Sequence, residues 1–200
     1  MEAFGATAIL LAAMASIVLA FRLLVRHPAG VVPEDPPGVR TVAVFAGDDA
    51  AFFADDRPDE LRVGNRLFET LCQGLAAGGI GIENRGTLDN AQRAECVVES
   101  ERFALVLEWL GERWVASVEW NPTSSAEKRH LAWTHQVYAP PDSSCLRRLL
   151  VTLDQWLKSQ PTLSAVAWHR KERWFADDSS SASSVPLAGK EGIGLIRGNP

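Results

Sequence analysis

Residues 103–120 read FALVLEWLGERWVASVEW, and this stretch decides the fold. Phe103, Leu105, Leu107 and Trp109 alternate with smaller or charged residues, and Trp114, Ala116, Val118 and Trp120 alternate again after Gly111-Glu112. A period of two is the signature of a half-buried strand, and a two-residue loop with Gly first suits a type II′ hairpin turn. Such a turn sets 109 against 114, 107 against 116, 105 against 118 and 103 against 120. All eight apolar side chains then share one face, which a slip of one residue would destroy.

Outward from this hairpin, Cys96 and Val98 predict a preceding strand, and Leu131, Trp133, His135 and Val137 a following one, stopped by Pro140-Pro141. Ile80-Gly81-Ile82 reads as a short strand and residues 83–93 as a loop. Thr41 to Phe45 is a buried-strand candidate, and Leu163 to Trp168 a final strand. Two helices are expected. The first has Asp56 as N-cap and Pro58-Asp59-Glu60 as its first turn, carries Leu61, Leu67, Phe68, Leu71, Cys72 and Leu75 along one face, and ends at Gly78-Gly79. The second is capped by Ser143 or Asp142 and carries Leu146, Leu149, Leu150, Leu153, Trp156 and Leu157. The fold class is therefore α+β: a mostly antiparallel sheet of about five to six strands with two helices on one face.

The amino terminus adds a different element. Ala3 to Phe21 is a run of nineteen uncharged residues, roughly 28 Å as a helix and close to a bilayer's hydrocarbon thickness. A buried core helix of that length would carry a polar face. A signal peptide cut after Ala15 would carry a basic residue ahead of its apolar run, where this chain has only Met1-Glu2. A single transmembrane helix is the preferred reading. Arg22 and Arg26 follow it and no basic residue precedes it, so the amino terminus is expected outside and the domain in the cytoplasm. Small residues at 8, 12, 16 and 20 leave a homodimer through the anchor open.

Four parts result: an anchor and flank (1–26), a Pro-rich tether (27–40), a globular α+β domain (41–175) and a Ser- and Gly-rich tail (176–200) expected to be disordered. Sixteen Arg against four Lys suggest a GC-rich bacterial source, hence the inner membrane. A net charge of −5 excludes the basic footprint of a general nucleic-acid binder, so no nucleic acid is expected as a partner. Cys72, Cys96 and Cys145 form no C-x-x-C pair, which fits a reducing compartment.

No motif supplies a catalytic set, metal site or cofactor. His130 and His135, on one strand at odd spacing, would face opposite sides and could not chelate together. Asp48, Asp49, Asp55, Asp56, Asp59 and Glu60 crowd together without EF-hand spacing, and read as solvated loop and helix-start acids. Gly78, Gly79 and Gly81 lack the spacing of a phosphate loop. Cys145 falls in a helix first turn, where the dipole lowers a thiol pKa, which makes it a weak candidate reactive thiol. Seven tryptophans stand out, and Trp133, Trp168, His135 and His169 are the candidate partner contacts on an open sheet face. The leading functional expectation is a single-pass anchored, non-catalytic binding domain for another protein. The alternatives are a tethered enzyme using Cys145 or the 48–60 carboxylates, and an exported domain freed from its signal peptide.

Overall fold

The computed structural model describes residues 39–47, 50–56, 63–88, 90–134, 139–171 and 182–187. The chain divides into two compact units, residues 33–121 with 137–200, and residues 1–32 with 122–136. The expected membrane segment, 3–21, lies outside the described residues, and none of the described helices is long and apolar enough to cross a membrane.

The larger unit is built on a six-stranded antiparallel sheet in the order β2-β3-β4-β5-β1-β6, with β1 Val42–Ala46, β2 Gly81–Thr87, β3 Ala91–Val98, β4 Glu101–Trp109, β5 Trp114–Trp120 and β6 Ser164–His169. The central hairpin has the register its alternation requires: Phe103 faces Trp120, Leu105 Val118, Leu107 Ala116 and Trp109 Trp114. Gly111 takes φ +85°, the conformation that the first turn position demands and side chains resist. β1 then pairs with β5 and β6, setting Phe45 against Trp114 and Ala43 against both Ala116 and Trp168.

Two helices, α1 Asn65–Ala77 and α3 Ser144–Ser159, cover the face that carries these residues. Leu67, Phe68, Leu71, Cys72 and Leu75 of α1 are buried, as are Cys145, Leu146, Leu149, Leu150, Leu153 and Leu157 of α3. Each large apolar side chain buried this way contributes about 1.5–3 kcal/mol. α3 is capped as its sequence suggests: Ser143 Oγ accepts from the Leu146 amide at 3.0 Å. α1 starts at Asn65, later than the expected first turn at 58–60, which lies outside the described residues. Gly64 precedes it at φ +70°, and a Cβ there would stand 2.2 Å from the Trp114 ring, so both backbone and packing require glycine.

The centre of the other sheet face, expected to be open, is buried at Val42, Ala104 and Val115. Around it, Arg102 bonds Glu83 (2.7 Å) and Glu95, and Lys171 pairs with Glu119.

Three further expectations are corrected. Residues 83–87 and 91–93 are strand rather than loop; β2 escaped notice because it is a polar edge strand, bulged near Asn84 at φ +47°. Residues 182–187 are not an unpacked tail. Ser183 bridges Trp168, Leu187 bridges Val39, and Leu187 packs on the core. Residues 131–134, read as strand, belong to helix α2, Ser125–Thr134, in the smaller unit. A capping box starts it: Ser124 Oγ accepts from the Glu127 amide, while Glu127 Oε2 accepts from the Ser124 amide at 2.7 Å.

Candidate functional site

A cavity of about 340 Å³, open to solvent, lies between the start of α1 and the β2–β3 hairpin, lined by Asp55, Asn65, Phe68, Glu69, Arg85, Gly86 and Gln92. Its geometry begins with Asp56. One carboxylate oxygen accepts from the amides of Val63 (2.8 Å) and Gly64 (2.9 Å), and the other from that of Asn65 (2.7 Å). These are orphan donors of the helix start, where negative charge is also favoured by the dipole. Asp56 thus holds the loop following the 3₁₀ turn Ala50–Phe53 against α1, leaving the neighbouring Asp55 side chain 58% exposed on the cavity rim.

The floor is a side-chain relay. Asn65 Nδ2 donates to the Asp55 carbonyl at 3.1 Å, and Asn65 Oδ1 accepts from Gln92 Nε2 at 2.7 Å. The same Gln92 nitrogen donates to Thr87 Oγ1 at 3.2 Å, across the β2–β3 pair. Gln92 is 5% exposed and stands at a position that register turns toward the core. A buried amide is costly unless bonded, and this network satisfies it. One turn along α1 from Asn65, Glu69 forms an ion pair with Arg85 of β2. Arg66 stands 3.8 Å from Asp55 at the rim. The charged lining is two carboxylates and one guanidinium, a net charge of −1. The hydrogen-bonding lining is fixed by secondary structure, and it suits a polar, positively charged group.

Of the residues singled out from the sequence, Trp168 and His169 are not among those lining this cavity. Trp168, a candidate partner contact, is fully buried on the helix side, its Nε1 donating to Asp154 Oδ1 at 2.7 Å. His169 is on the opposite sheet face, facing Val42. Trp133 is in α2, which removes the strand geometry on which its role and that of the histidines rested, and its side chain is not among those described. His135 lies outside the described residues. Trp168 and His169 therefore lie on opposite faces of the sheet and are not brought together.

Cys145 is buried in the first turn of α3. Burial pushes its thiol pKa up, and the Glu101 and Glu99 carboxylates push in the same direction, against the helix dipole. The carboxylates at 48–60 do not act as a group in the described structure: Asp56 is a helix cap, Asp55 a rim residue, and the other four lie outside the described residues. Among the described residues, no three His, Cys, Asp or Glu side chains are placed to hold a metal ion.

Sequence reasoning passed over Asn65, Glu69, Arg85 and Gln92. One signal was present. Gln92, Ala94, Cys96 and Val98 share a strand face, and a polar residue in that apolar series marks a place where the core opens.

No protein-family model matches this chain, and no curated protein or solved structure matches it significantly.

Proposed function

We propose that the protein is a single-pass, membrane-anchored binding module whose α+β domain works on the cytoplasmic side and engages another protein. The observation that carries this reading is the uncharged run Ala3–Phe21, followed by Arg22 and Arg26 and then by a tether with four prolines. The three cysteines support a reducing compartment: all are free and buried. A binding role rather than a thiol enzyme is supported by Cys145, whose burial and carboxylate neighbours oppose thiolate formation. The α1–β2–β3 cavity replaces the sheet face as the place where a partner is engaged.

The test is topology in cells. With the full chain fused at its carboxyl terminus to a fluorescent protein or to a periplasmic phosphatase, fluorescence and no phosphatase activity are expected. Residues 3–21 are expected to hold the chain in carbonate-washed membranes, and their deletion to release it. Phosphatase activity, or a mature chain beginning at Ser16, would overturn the reading.

A further inference from the structure

We infer that the α1–β2–β3 cavity receives a basic side chain, an arginine or lysine presented by the protein partner. The inference rests on the binding-module reading and names the chemistry of its partner. Three observations converge. The cavity, about 340 Å³, has room for a long side chain. Its lining residues carry a net charge of −1: Glu69 and Arg85 pair with each other, and among the described residues Asp55 has one ion pair, a long 3.8 Å contact with the exposed Arg66. Its floor is the amide of Gln92, whose nitrogen donates to Asn65 and Thr87 and whose carbonyl oxygen, among the described residues, accepts a long 3.4 Å bond from Thr87 Oγ1. A carboxylate on the rim and an under-used carbonyl on the floor make an acceptor set that fits a guanidinium or ammonium group. Long-range charge acts in the same direction, since the chain carries −5 overall and would draw a basic partner toward it.

One wall of the cavity is the backbone of β2, where Arg85 and Thr87 face the helices with Gln92 while Gly86 pairs with Arg93 on the other sheet face.

The test uses the full chain in detergent micelles, ¹⁵N-labelled, with the backbone amide of Gly86 and the side-chain amide of Gln92 as reporters. The probe is the blocked peptide acetyl-Gly-Arg-Gly-amide, compared with its citrulline counterpart, which keeps the shape and loses the charge. The arginine peptide is expected to shift both reporters saturably, and citrulline to bind at least about tenfold more weakly. Asp55→Asn is expected to weaken binding by about tenfold. Equal binding of the citrulline peptide, no saturable shift, or binding unchanged in Asp55→Asn would each overturn the inference. Tighter binding of free spermidine than of the peptide would also overturn it, assigning the cavity to a small polyamine. The two readings fail separately. A correctly anchored chain that ignores the peptide removes the cavity assignment alone, whereas an exported chain that binds it removes only the topology.

Discussion

Trp156 of α3 lies on the one position of the α1 interior that has no side chain, Gly74. A Cβ built on Gly74 would stand 2.0 Å from the Trp156 ring, so the two helices approach over a glycine–indole contact. Gly74→Ala gains roughly 1 kcal/mol of helix propensity. The enforced ring displacement costs about 1–3 kcal/mol. Because the overlap is with ring atoms of a side chain packed on the core, the cost is expected to prevail. The thermal midpoint should fall by a few degrees, at roughly 2–4 °C per kcal/mol. Adding Trp156→Leu should make the alanine harmless, and a midpoint that rises in the single variant would refute the contact.

Asp56 fastens the cavity rim to α1 through three backbone amides. Asp56→Ala should cost about 1–2 kcal/mol, read from urea unfolding at an unchanged slope. Asp56→Asn, which keeps one acceptor oxygen, should cost less. If both variants unfold at the wild-type midpoint, the loop is held by something else.

Burial raises the Glu108 carboxyl pKa above its ordinary value, against the bond it accepts from Asn90. A raised folded pKa favours the protonated form, so Glu108 supports the fold at low pH and loses that support as pH climbs through the raised value. Glu108→Gln should therefore stabilise the domain at pH 7 and do little at pH 4. The opposite sign holds for Glu95, lowered by its bond from Arg102, and for Glu127, lowered by the Ser124 amide. Their contribution is present above the ordinary carboxylate range and is lost as pH falls through the depressed values. Unfolding midpoints taken across pH 3–7 decide both signs.

Burial pushes the Cys96 thiol up to about 12 and the Cys72 thiol to about 11. All three cysteines should react with a maleimide only as fast as the domain opens, and together in denaturant. Fast native labelling of Cys145, with a rate titrating below pH 8.5, would restore the thiol-enzyme reading.

Much of this fold was legible where one period ran uninterrupted. The 103–120 hairpin had eight apolar residues agreeing on a single register, and α3 had both its apolar stripe and its Ser143 cap. Legibility failed where two signals competed. Leu131, Trp133, His135 and Val137 alternate like a strand, yet Ser124 and Glu127 close a capping box just ahead of them, and three residues of exact spacing outweighed the alternation. β2 carries no apolar alternation because one of its edges is unpaired, so Glu83, Asn84 and Arg85 read as loop. The cavity was not visible at all as a motif. Asp55, Asn65, Arg85 and Gln92 come from four segments, the loop after the 3₁₀ turn, α1, β2 and β3, that only the folded chain brings together, and Gln92 alone broke its local pattern.

Leu187 bridges Val39, and the Arg40 amide donates to the Pro186 carbonyl at 2.8 Å. The two described ends of the larger unit, 39 and 187, are therefore fastened side by side, and a pull applied between them loads that clasp before it loads the β1–β6 pairing. A permuted chain, with 187 joined to 39 by a short linker and new ends opened at the Gly111-Glu112 turn, would retain every strand pairing.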